Sequence, residues 1–256
     1  MAPSLDERPV IDAPVIDNVV FRPAAERFHS QLDWLDSWHS FSFAGHHDPA
    51  WMGYGPLRVI NDDTIAAGRG FGMHPHRDME IITVMVEGQL NHHDSMGHDA
   101  LLRAGEVQRM TAGTGIVHSE RNGGERPCRL LQIWIEPNRL GLPPAYEQKP
   151  FLLKGGWTPL LHPDQADGAL AIHASVHLWR AQLAAGQQLP VACSQERLRW
   201  IQMIAGSGQI TLANHQAPVP LQRGDGLGFG GASASAAPME AFLSGPEGAD
   251  LLLFDL

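Results

Sequence analysis

The chain has 256 residues, 18 lysines and arginines against 28 aspartates and glutamates, and a formal net charge of −10. At 43% apolar residues it can bury a sizeable core, and its acidic balance excludes a protein that holds nucleic acid chiefly through phosphates. No apolar run approaches the roughly 20 residues of a membrane-spanning helix. The start of the sequence lacks the charged-then-apolar order of a secretory signal. The two cysteines, Cys128 and Cys193, form no CxxC, so the expectation is a cytoplasmic protein with reduced thiols and no membrane partner.

Residues 1–50 are mixed, with Trp34, Trp38, Phe41 and Phe43 crowded into one stretch that reads as a strand or clamp packed on a body. From Leu57 onward, LRVIND, EIITVMVEG, VQRMTAG and CRLLQIWIEP are short apolar or alternating runs bounded by turn-formers. That is the pattern of sheet, and no long segment carries a helical period. Residues 136–159 hold five prolines and three glycines and read as the linker region. Beyond it the strand pattern resumes with a resemblance to the first half. Each half reads as strand, glycine turn, strand, glycine-acid turn, strand: the turn glycines Gly88 and Gly105 stand 17 positions apart and Gly208 and Gly224 16 apart, and both Gly105-Glu106 and Gly224-Asp225 pair a glycine with an acid. A duplicated all-β unit follows, with a first unit over 1–140, a linker over 141–158 and a second unit over 159–256.

The chain has 14 histidines, and four residues stand where they could act together. His74 and His76 are i and i+2, so on a strand they share a face with Cα atoms roughly 6.6 Å apart. Pro75 between them places the segment at a sheet edge or barrel mouth. His118 and Glu120 form a second same-face pair beside a glycine-rich turn. Three neutral nitrogens and one carboxylate suit a first-row divalent metal and leave coordination positions open. His173 and His177 alternate with Ile172, Ala174, Val176 and Leu178, the pattern of an outer strand face. His92, His93 and His98 read as a polar turn, and His46 and His47 as a loop. In the second unit the positions corresponding to His74 and His118 are Ser194 and Ala237, so this copy is expected to lack a metal.

Gly68, His74, His76 and Glu80 resemble the first cupin motif, with Gly88 one residue late. Gly105, Gly115, His118 and Asn122 resemble the second, with Thr111-Ala112-Gly113 where a proline is usual. WLDSWHSFSFAGHHDP, HPHRDMEIITV, DSMGH and GEVQRMTAGTGIVHSE resemble the pirin family over about residues 30–140, and within it the bacterial pirin-like quercetin 2,3-dioxygenases. The resemblance implies a bicupin of two jelly-roll barrels, with a metal held by His74, His76, His118 and Glu120. Glu80 lies roughly 13 Å past His76 along a straight strand, and is assigned instead to orienting a ligand histidine.

The implied activity is metal-dependent cleavage of a flavonol such as quercetin by dioxygen with release of carbon monoxide, Glu120 also taking the flavonol hydroxyl proton. Iron is the favoured ion, with nickel, copper, cobalt, manganese or zinc as alternatives. The expected partners are a small aromatic substrate and dioxygen, and the chain is expected to be a monomer. The other implied reading is a non-catalytic, metal- and redox-sensing interaction protein.

Overall fold

The computed structural model describes residues 19–191, 197–212, 215, 217–230 and 240–256, so Cys193, Ser194 and Ala237 lie outside the described residues. Regular structure there is twenty strands and three short 3-10 turns. The first twelve strands are β1 Val20–Arg22, β2 Phe28–Gln31, β3 Leu35–His39, β4 Leu57–Ile65, β5 Gly70–His76, β6 Glu80–Glu87, β7 Gln89–Asp94, β8 Asp99–Arg103, β9 Glu106–Thr111, β10 Ile116–Arg121, β11 Cys128–Ile135 and β12 Ala145–Pro150. The remaining eight are β13 Thr158–His162, β14 Leu170–Ala171, β15 His177–Leu183, β16 Gln188–Pro190, β17 Leu198–Thr211, β18 Val219–Gln222, β19 Gly226–Gly230 and β20 Ala241–Asp255.

A seven-stranded sheet in the order β12-β9-β6-β11-β4-β3-β2 faces a four-stranded sheet in the order β5-β10-β7-β8, and together they enclose the first barrel. Period-2 alternation decides what each strand gives to each side. On β6, Ile82 and Val84 face away from the barrel into the core shared with the second unit, while Thr83 faces inward. On β11, Leu131 and Ile133 face the shared core and Gln132 faces inward. A nine-stranded sheet built on β19-β17-β20-β15 forms the second unit.

The outer face of the seven-stranded sheet packs on the second unit through Leu57, Ile60, Ile82, Val84, Leu131 and Ile133 against Leu161, Leu178, Trp200, Leu252 and Phe254. Burial of each such side chain is worth about 1.5–3 kcal/mol. Phe41, from the aromatic stretch, packs on Trp200 with ring centroids 4.9 Å apart, so that stretch clamps the two units. Arg129 forks onto Asp62 at 2.8 and 2.9 Å and donates to the carbonyl of Ile204 across the junction at 2.8 Å.

The repeated turn is real at one place and absent at the other. Gly105 and Gly224 take the left-handed conformation at φ 84° and 89°. The acid after each accepts a hydrogen bond from the backbone three residues earlier, Arg103 N to Glu106 at 2.6 Å and Gln222 N to Asp225 at 2.9 Å. Gly208, by contrast, is no turn. It lies inside β17, where a Cβ would stand 2.3 Å from the Phe242 ring, and the bend falls at Gly206. Two segments cross the expected partition. β1 pairs with β19 in the second unit's sheet, and β12, inside the expected linker, pairs with β9 in the first.

Candidate metal centre

His74 and His76 lie on β5, half-buried, and His118 lies on β10, fully buried. The antiparallel register sets His118 opposite His74, which brings the three imidazoles to one place at the barrel mouth. One nitrogen of each lies within 4.8 Å of the others. The Nδ1 of His74 sits 2.7 Å from the carbonyl of Gly72, and donation there leaves Nε2 as the lone pair. Burial first, then the neighbouring histidines, push His76 down to about 4 and His118 down to about 3. The His76 and His118 rings are therefore neutral at pH 7, the form that ligates metal. Both ring nitrogens of His118 are buried without a hydrogen-bond partner among the described residues, a costly state unless something else meets them. The donor set and this orphaned ring fit a divalent transition metal.

Glu120 is buried and held from three sides. Gln132 Nε2 donates to its Oε2 at 2.7 Å, while Thr83 Oγ1 and Gln108 Nε2 approach Oε1 at 3.3 and 3.5 Å. The register on the β5 side slips between His118 and Glu120, setting Glu120 opposite Phe71 and away from His74. Its carboxylate groups with His118 and His92 within 4.8 Å, a set distinct from the His74, His76 and His118 group.

Three sequence expectations change here. Glu80 does not orient a ligand histidine: it shares its β6 face with Ile82 and Val84, and its carboxylate accepts from Thr111 at 3.1 Å and lies 3.4 Å from His173 of the second unit. Burial raises its pKa. His92 is in no turn. β7 runs on to Asp94, and the inward parity of Leu90, His92 and Asp94 was the available signal. His173 and His177 keep the expected face alternation, but only His177 is in a strand, and His173 meets Glu80 at the junction.

Beside His76 stands the indole of Trp134, ring centroids 5.0 Å apart and nearly perpendicular. Trp134 also lines a cleft of about 510 Å³ with Phe43, Met52, Val59 and Met79. An aromatic wall thus runs from the surface to the histidines.

Two packed barrels, one carrying convergent histidines at its mouth, define a cupin protein of the two-domain class. The pirin family profile matches residues 21–135 and that of the quercetinase C-terminal cupin domain matches 160–256, and the chain belongs to the pirin family. It is 43% identical over 239 residues to a quercetin 2,3-dioxygenase of Escherichia coli O157:H7, covering 93% of this chain and 98% of the relative. It is 48% identical over 190 residues to a quercetin 2,3-dioxygenase of Escherichia coli strain K12, covering 74% and 82%. The crystal structure of YhhW from Escherichia coli superposes with a TM-score of 0.85 at 42% identity, covering 93% of this chain and 97% of that one. The nickel(II) complex of bacterial pirin YhhW superposes at 0.83 and 42% identity, covering 93% and 98%. No helix among the described residues is long and apolar enough to cross a membrane.

Proposed function

We propose that this chain is a metal-dependent dioxygenase that opens a flavonol such as quercetin with dioxygen and releases carbon monoxide. The observation that carries the reading is the convergence of His74, His76 and His118 within 4.8 Å beside an aromatic cleft. In this reading those three residues and Glu120 hold one divalent ion, iron for preference, with nickel the ion named in the YhhW complex. Bound there, the metal supplies Lewis acidity and, if redox-active, the capacity to handle dioxygen.

The chain's own residues do the rest. Trp134 and Phe43 offer flat faces to a planar polyphenol and exclude water from the mouth. Glu120 accepts the proton of the flavonol hydroxyl, and Gln132 fixes the carboxylate that takes it. A cytoplasmic monomer, with flavonol and dioxygen as its partners, completes the proposal.

Quercetin consumption and carbon monoxide release by metal-loaded protein test it. Glu120→Gln should keep its metal and lose about 10²–10⁴-fold in turnover. Unimpaired turnover would reject the proton-acceptor role, and a metal-bound parent that turns over no flavonol would favour the interaction-protein reading.

A further inference from the structure

We propose that the first barrel has a second, inner metal position, formed by His92, His118 and Glu120 behind the histidines at the mouth. It rests on the reading of this barrel as a metal centre, and it adds a ligand, His92, that the mouth cluster does not use.

The register builds it. On the side of β10 away from β5, Glu120 lies directly opposite His92 of β7, and His118 opposite Asp94. Cross-strand partners on one face bring their side chains together, and one donor atom from each of His92, His118 and Glu120 lies within 4.8 Å of the other two. All three residues are buried, His92 and His118 completely.

The hydrogen bonds of His92 leave one of its ring nitrogens unmet. The Nε2 of His92 lies 3.0 Å from Asp94 Oδ2. Asp94 also accepts from the backbone of Met96 at 2.9 Å and of His98 at 3.1 Å. A carboxylate so fully engaged fixes the proton of His92 on Nε2. The Nδ1 then carries the lone pair, and it is buried with no hydrogen-bond partner among the described residues. A carboxylate behind a histidine, with the opposite nitrogen free, is the arrangement that orients metal-ligating imidazoles and raises their basicity. Tyr146 covers the His92 ring at 4.7 Å between centroids and closes the space to water.

The inner and mouth positions share His118 and Glu120. The neutral ring of His118 has one lone pair to give, so a single ion occupies one position or the other. The mouth position adds two half-buried histidines, His74 and His76, with open access, whereas the inner one adds the fully buried His92. An ion at the mouth is therefore open to substrate and an ion inside is withdrawn from it.

The test uses cobalt(II) alone, added to metal-free full-length protein, with bound metal read by elemental analysis and visible absorption. The parent should bind about one ion per chain. H74A/H76A should still bind about one, more weakly and with an altered spectrum, and H74A/H76A/H92Q should lose it. If H92Q fails to fold in that background, as judged by circular dichroism, H74A/H76A/D94N replaces it and should weaken cobalt binding about 10–100-fold relative to H74A/H76A. Loss of all cobalt from folded H74A/H76A, while the parent binds one, would overturn the inner position and leave the mouth site standing. Retention in the triple variant equal to that in H74A/H76A would overturn the role of His92. A parent that binds no cobalt would overturn the metal-centre reading and this proposal with it.

Discussion

The two barrels share a turn, at Gly105 and Gly224, but not an interior. The first is lined in part by Asp63, Thr83, Gln108, His118, Glu120 and Gln132, all buried, beside an apolar cluster of Ile65, Met85, Leu90, Leu102 and Leu130. The second is filled by Leu183, Ile201, Met203, Ile210, Leu227, Phe229, Phe242 and Leu251. One fold therefore supports two solutions. Where apolar side chains meet at the axis the barrel is a solid core, and where they are replaced by polar groups that satisfy one another it becomes a scaffold that aims a few donors at its mouth. The Phe242 ring seated on Gly208 marks the difference, because it occupies space that a site would need.

The largest effect separating the two should come from emptying the solid barrel. Phe242→Ala should cost about 3–5 kcal/mol in chemical denaturation and leave the metal content of the folded protein unchanged. A change in metal content would mean that the barrels are coupled more tightly than their packing implies. Next is Asp63, buried beside Ser37 and raised to about 7, with burial as the chief cause. Its folded pKa lies above its unfolded value of about 4, so the folded state keeps a proton that the unfolded state releases. The stability it contributes is complete below about pH 4 and is lost as pH rises to about 7, by up to about 4 kcal/mol. Asp63→Asn should remove that loss, read as a denaturation midpoint that falls less from pH 4 to 7 in the variant than in the parent, both metal-free. The smallest effect should come from making one position of the first barrel resemble the second. Gln132→Leu removes the 2.7 Å donor to Glu120 and should weaken metal binding about 10–100-fold in competitive titration, with the fold intact.

Much of this is legible in the amino-acid sequence alone. His74, His76 and His118 were legible because strand parity and motif spacing both act over a few residues, and the strand runs from Leu57 to Ile135 were legible for the same reason. What escaped depended on partners far away in sequence. Glu80 follows the HxH pair in the expected motif, yet its destination was decided by the parity it shares with Ile82 and Val84 and by a second unit that no local pattern describes. The polar string NHHDSMGH resembles a turn by composition, and only the inward alternation of Leu90, His92 and Asp94 reveals a strand. Gly208 looked like a turn because glycine serves equally where a ring must lie flat on the backbone.

The strand Val20–Arg22 has one further consequence, and it concerns the ribosome. Val20 pairs with Gly228, so this early strand belongs to a sheet whose partner is made about two hundred residues later. At synthesis rates of about 5–20 residues per second, it emerges roughly 10–40 s before that partner exists. The first barrel can close in that interval, but the edge of the second sheet cannot. A nascent chain thus carries an unmatched strand through most of its birth.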